Sequence, residues 1–140
     1  MKRNLKQYQK MLGGKVMKNI RTGNLIKHTE WANVEVYGLN PEGIQVLYLD
    51  SVYLCDWKEV EDLPLSKENL KLFKYIQEVS EGEYNVDDFL LLKLEDLDWN
   101  DICFDVYIKG TYLTCVLTVS ELQNLYLDLT RNKLLLRYGN

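Results

Sequence analysis

Apolar and polar positions divide this chain into short segments with different periods. In "NLKQYQKML", residues 4–12, Leu5, Tyr8 and Leu12 recur at helical spacing, with Asn4 placed to cap and Gln7 three residues on. Gly13-Gly14 then supplies a stop. This helix is shorter than the roughly 12–15 residues an isolated helix needs, so it must dock on something. From Asn24 to Val60 the pattern changes to short β segments: "NLIKH", "WANVEVYG", "GIQVLYL", "SVYLCD" and "WKEV". Asn, Asp, Gly and Pro punctuate them, including the turn Asn40-Pro41-Glu42-Gly43.

The next stretch, "LPLSKENLKLFKYI", reads as a helix, with Ser66 as N-cap and Leu65 stapled to Leu70. Ser80 to Asp88 is expected to be a polar, acidic connection. "FLLLKL" reads as a strand and precedes a hairpin of "ICFDVYI" and "TYLTCVLTV", turning at Lys109-Gly110; Ile102, Phe104, Val106 and Ile108 alternate as a half-buried strand does. Over "SELQNLYLDLT" a second helix is expected, opened by a Ser120–Gln123 capping box. Leu122, Leu125, Tyr126 and Leu129 would form its core face and Asn124 and Asp128 its wet side. "KLLLRY" would close the chain as a strand.

These elements imply an α+β fold. Residues 1–16 form a basic helical extension, 17–64 an SH3-like small β-barrel or curved sheet, and 65–140 a hairpin/helix/strand lobe that can be continuous with it. Trp31, Tyr37, Tyr48, Tyr53 and Trp57 are expected to pack such a barrel, an aromatic groove being the sharper alternative.

At 140 residues the chain can bury a core without staples. Its apolar runs stop at four residues, Val46–Leu49, Val52–Cys55 and Phe89–Leu92, so neither a membrane span nor a signal peptide is expected. Three cysteines, Cys55, Cys103 and Cys115, lack metal-knuckle spacing and suit a reducing, cytoplasmic setting as small buried hydrophobes, the hairpin bringing Cys103 and Cys115 within facing range with no bond required. The net charge of −4 conceals an asymmetry. Residues 1–29 carry eight Lys and Arg and no acid, whereas the remainder carries nine basic and 21 acidic side chains. Such polarity points to an electrostatic partner or to a basic arm lying on an acidic body.

Chemistry-bearing constellations are sparse. One histidine, His28, is expected to play a packing or surface role rather than anchor a triad. Neither phosphate-loop spacing occurs. Asp96, Asp98 and Asn100 match the first three ligand positions of a calcium loop, but Asp101 stands where glycine is needed and Tyr107 where glutamate is needed. No metal, cofactor or catalytic residue is therefore expected. Two charged regions are the candidate binding sites. The basic arm offers Lys2, Arg3, Lys6, Lys10, Lys15 and Lys18 with Tyr8 as a stacking residue. The acidic loop offers Glu95, Asp96, Asp98, Trp99 and Asp101 to a basic surface.

Three phrases, Ile20-Arg21-x-Gly23-Asn24, Pro64-Leu65 with Glu68 and Leu70, and Leu122-Gln123-Asn124-Leu125-Tyr126 with Leu129-Thr130, occur in this order. In that respect the chain resembles a group of small uncharacterised proteins from phages and mobile elements of Bacteroidota, over roughly residues 17–138. Ser120 near the group's usual His, Arg131 in place of its Gly, and the residues before Met17 depart from it, and Met17 is an alternative start. The resemblance carries no catalytic residue; it implies a mobile-element product made inside a bacterial cell.

The function expected from these readings is non-enzymatic. A protein-binding inhibitor comes first, specifically an anti-CRISPR or other anti-defence protein acting on a host RNA-guided nuclease with its RNA. A nucleic-acid-binding module using the basic arm is the alternative, and a homodimeric housekeeping role and an enzyme built on the carboxylates follow.

Overall fold

The computed structural model describes residues 19–96 and 102–137. The expected helix over 4–12, the whole basic arm and the centre of the acidic loop lie outside those residues. Within them the fold is α+β and mostly sheet, as two five-stranded antiparallel sheets joined through one long helix.

The first sheet is a meander closed by a returning strand. β1 (Leu25–His28), β2 (Ala32–Asn40), β3 (Gly43–Tyr48) and β4 (Ser51–Cys55) follow one another, and β5 (Val60–Asp62) returns beside β1. "WKEV" does not form a strand throughout. Trp57–Glu59 make a single 3-10 turn capped by Asp56, whose side chain accepts from the Lys58 amide while Glu59 reaches back to the Asp56 amide. On the inner face, Ile26, Val34, Val36, Ile44, Val46, Cys55 and Val60 make a core of their own with Ile20, and Trp31 and Tyr48 pack against it.

The second sheet runs β10-β9-β8-β7-β6 from β6 (Ile76–Ser80), β7 (Glu83–Val86), β8 (Leu90–Asp96), β9 (Ile102–Ile108) and β10 (Thr111–Val116). The β9–β10 hairpin turns at Lys109-Gly110, both with positive φ, the geometry that matches strand twist. Helix α2 (Val119–Thr130) lays Leu122 and Tyr126 on this sheet. With Phe73, Leu90, Leu92, Phe104, Val106 and Leu134 they form the larger core, which also takes in Leu25 from the first sheet.

Five expectations are corrected. The helix after Leu65 is one turn, α1 (Lys67–Leu70), and Ile76–Ser80 is already a strand. Leu72, Phe73 and Lys74 are drawn out of helix by the chain's end: Lys74 donates to the Leu135 carbonyl, Arg137 to that of Leu72, and Phe73 bridges Leu136. "KLLLRY" therefore contributes an isolated bridge rather than a strand. Ser80–Asp88 contains β7 instead of a plain connection, because Tyr84 and Val86 alternate into the core. The long helix begins two residues earlier than Ser120: Thr118 is its N-cap, and Thr118 with Glu121 forms the capping box. Asn124 is buried and Leu129 exposed, so only Asp128 of the expected wet side faces water.

Candidate functional site

Because Thr118 rather than Ser120 caps α2, Ser120 and Gln123 are released for another task. β5 pairs with β1 only up to Asp62 opposite Ile26, leaving the backbone groups of Leu25 on that side without a strand. Helix side chains take them. Gln123 Oε1 accepts from the Leu25 amide at 2.8 Å and Ser120 Oγ donates to the Leu25 carbonyl at 3.3 Å. Gln123 Nε2 also donates to the Gly23 carbonyl, and Asn24 Nδ2 donates to Asn124 Oδ1 at 2.8 Å, all at the seam between the first sheet and α2. Outside this seam Arg21 grips Asp128 with two hydrogen bonds, 2.6 and 3.0 Å, which hold the Asp128 carboxyl below its ordinary range. The "IRTGN" and "LQNLY" phrases are thus two halves of one clamp. Pro64 and Leu65 join it by pairing with Thr118 and Leu117.

A cavity of about 230 Å³ opens beside the clamp, lined by Asn19, Arg21, Cys115, Ser120, Asn124 and Asp128 among others. Its main polar side chains are committed to the protein itself: Ser120 to Leu25, Asn124 to Asn24 and Asn19, and Arg21 to Asp128. Such a lining has little left to orient a ligand.

His28 is buried. Its Nδ1 accepts from the amides of Glu30 and Trp31 at 3.1 and 3.3 Å, which assigns the ring proton to Nε2 and ties down the β1–β2 turn. Trp31 is sandwiched between His28 and Tyr48, at centroid distances of 4.1 and 4.8 Å and interplanar angles of 10° and 6°. These rings form a packed stack against the core of the first sheet. Tyr53 leans on the same indole at 4.9 Å, and Tyr37 and Trp57 are exposed elsewhere on the lobe.

Cys103 and Cys115 share the outer face of the second sheet, on adjacent strands and one step apart in register. Hydrogen bonding to the Cys115 thiol, burial, and the nearby Asp105 and Glu95 push the Cys103 thiol far up, so it is not a nucleophile at neutral pH. Glu95 is the member of the acidic-loop candidates whose side chain is described; it sits half-buried on β8 opposite Cys103. Asp96 ends β8 and its side chain is not described, and Asp98, Trp99 and Asp101 lie outside the described residues, as do Lys2, Arg3, Lys6, Tyr8, Lys10, Lys15 and Lys18. Among the described residues, no cluster of three or more His, Cys, Asp or Glu has metal-binding geometry.

A feature the sequence pattern does not reveal is the edge of the first sheet. On β4, Ser51 to Leu54 are all exposed, and Val52 and Leu54 point outward beside Leu47 and Gln45 of β3. The preceding turn holds Leu49 at 79% exposure and positive φ, with Asp50 also at positive φ. The consecutive apolar residues in "SVYLC" fit a strand covered on both faces equally well; only the strand order shows that this one ends a sheet.

Comparison with models of protein families, with curated proteins and with solved structures finds no match. Among the described residues no helix is long and apolar enough to cross a membrane.

Proposed function

We propose that this chain is a non-enzymatic protein-binding inhibitor encoded by a phage or mobile element, an anti-CRISPR or other anti-defence protein whose target is an RNA-guided nuclease of the bacterial host cytoplasm. The observation that carries protein binding is the run of exposed apolar side chains along the β3–β4 hairpin and just after it, Leu49, Val52, Tyr53, Leu54 and Trp57, with Tyr37 and Leu39 on β2. They stand in an acidic setting, since residues 28–66 hold eight acids and one lysine, Lys58. Apolar anchors in a field of one sign suit a basic partner surface, because charge selects and steers while buried apolar area supplies affinity. Nucleases that hold RNA present such surfaces. The resemblance to mobile-element proteins supports the cellular context.

The lobe is best read as an SH3-like barrel. A four-strand meander, a 3-10 turn and a fifth strand returning to β1 support that reading, as does the separate core around Ile26 and Val46. It is a scaffold used widely for binding rather than catalysis, though function rests on the site and not on the fold.

Co-expression with a panel of RNA-guided nucleases tests the proposal. Loss of target cleavage together with stable co-purification is the expected result; full cleavage throughout the panel sinks it. The second reading, a nucleic-acid-binding module, draws on one observation. Arg21 and Lys27, the described cations of the basic first 29 residues, are paired with Asp128 and Glu61, so this reading rests on the basic run Lys2, Arg3, Lys6, Lys10, Lys15 and Lys18 of the sequence. Nucleic-acid retention at low salt that disappears when residues 1–16 are deleted would favour it.

A further inference from the structure

Among the described residues β4 has a strand neighbour on one side only. Soluble proteins usually blunt such an edge with lysine, proline, a bulge or a cover. β4 has none of these in its sequence, Ser-Val-Tyr-Leu-Cys, and its pairing with β3 runs from Ser51 to Cys55 without a register break. The opposite flank of β3 shows the contrast, because its pairing with β2 is interrupted between Val36 and Gly38. Val52 and Leu54 are 43% and 56% exposed, and Leu49 stands out at the tip of the same hairpin in a backbone conformation disfavoured for leucine. An unbroken, unguarded apolar edge beside a strained apolar tip is the geometry of a strand acceptor.

Charge decides what is accepted. Asp50 precedes the strand and Asp56 follows it, both exposed. A second copy of the chain is the wrong occupant. Antiparallel pairing centred on Tyr53 sets Val52 against Leu54 of the other copy, which is favourable, but it also sets Asp50 against Asp56 at both ends. Like charges directly opposite on neighbouring strands are destabilising. We propose that β4 takes up an added antiparallel strand from a protein partner, an extended segment with two apolar side chains at alternate positions and a lysine or arginine two residues beyond each. This deepens the protein-binding reading and rests on it.

The probe is the seven-residue peptide Lys-Thr-Val-Thr-Val-Thr-Lys, capped at both ends, titrated into the full ¹⁵N-labelled chain. Saturable binding is expected, with slowed hydrogen exchange confined to residues 51–55 and their neighbours on β3. Replacing both peptide lysines by glutamate should weaken binding at least tenfold, and so should Leu54→Lys, a change at an exposed side chain that leaves the core intact. Absence of saturable binding, protection elsewhere, or equal binding of the glutamate peptide overturns the proposal. The broader reading fails separately. A nuclease that is captured equally well by the Leu54→Lys variant overturns β4 as the site but leaves protein binding standing. An edge that binds the lysine peptide in a protein that inhibits no nuclease overturns the inhibitor reading alone.

Discussion

Gln123 completes the backbone hydrogen bonding of Leu25. Its Oε1 accepts from the Leu25 amide at 2.8 Å while its Nε2 donates to the carbonyl of Gly23 at 3.3 Å; with Ser120 on the Leu25 carbonyl, it replaces the strand that β5 no longer provides. Both Leu25 and Gln123 are buried, and water is excluded from the bond. Sheet, helix and second core are therefore joined by a buried polar cluster, in which Ser120 and the Asn24–Asn124 pair stand beside Gln123.

Replacing Gln123 by leucine keeps the volume but leaves the Leu25 amide and the Gly23 carbonyl without their partner. An unsatisfied buried polar group costs about 1–3 kcal/mol, and that loss is expected in urea unfolding of Gln123→Leu. Gln123→Glu should also destabilise, since it keeps the acceptor but loses the donor and buries a charge. A change below about 0.5 kcal/mol in both variants would show that the seam opens to water.

Much of the first sheet is legible in the sequence because its strands are short and each is punctuated by Asn, Asp, Gly or Pro. The Lys109-Gly110 hairpin is legible for the same reason. Legibility fails where tertiary contacts override local spacing. Leu70, Phe73 and Ile76 recur every three residues, as a helix would have them, yet the chain's end pulls Leu72–Lys74 into bridge pairing. At "TVSELQ" two capping boxes overlap, Thr118 with Glu121 and Ser120 with Gln123. The first wins because Leu63 and Leu65 pair with residues 117 and 119 and set where the helix begins. The role of the displaced pair, and the exposure of β4, depend on strand order, which no local pattern encodes. The two charged regions that draw attention in the sequence fall almost wholly outside the described residues.

Asp62 makes stability depend on pH. Burial, with Glu121 and Glu61 nearby, raises its pKa from 3.8 to about 6. A carboxyl whose folded pKa lies above its unfolded value binds more protons in the folded state between those two values. Its contribution to stability is therefore greatest below pH 3.8 and declines as pH rises to about 6, by on the order of 1–2 kcal/mol after allowance for the partly exposed carboxylate. Asp62→Asn should be more stable than the parent at pH 7, with the advantage shrinking towards pH 4. Thermal unfolding of both proteins from pH 4 to 7 checks this, and parallel curves would show that Asp62 is not the source.

Leu49 occupies a left-handed conformation at φ 49 with its side chain in water. Asparagine tolerates that region far better and is favoured at the first position of such two-residue turns. Leu49→Asn is expected to stabilise the chain by about 0.5–1 kcal/mol while removing an apolar contact from the hairpin tip. If the variant is instead destabilised, Leu49 holds an intramolecular contact and the strain has a structural cause.

Reversing the charges that bracket β4 should change what the strand accepts. In the parent, twofold pairing of two β4 edges is opposed by Asp50 facing Asp56 at each end. The single change Asp50→Lys turns both of those like-charge pairs into opposite-charge pairs while Val52 and Leu54 still match. Each converted pair is worth on the order of 0.5–1 kcal/mol, so self-association should tighten by about tenfold. The double variant Asp50→Lys, Asp56→Lys restores repulsion, now between lysines, and should self-associate no better than the parent. Mixed with the parent, however, the double variant pairs lysine with aspartate at both ends and should form heterodimers. Sedimentation equilibrium of the three proteins and of the mixture reads all four states, with low salt favouring the predicted complexes because the pairs are exposed. Self-association of the double variant as strong as that of Asp50→Lys would show that the charges at the ends of β4 do not set its partner.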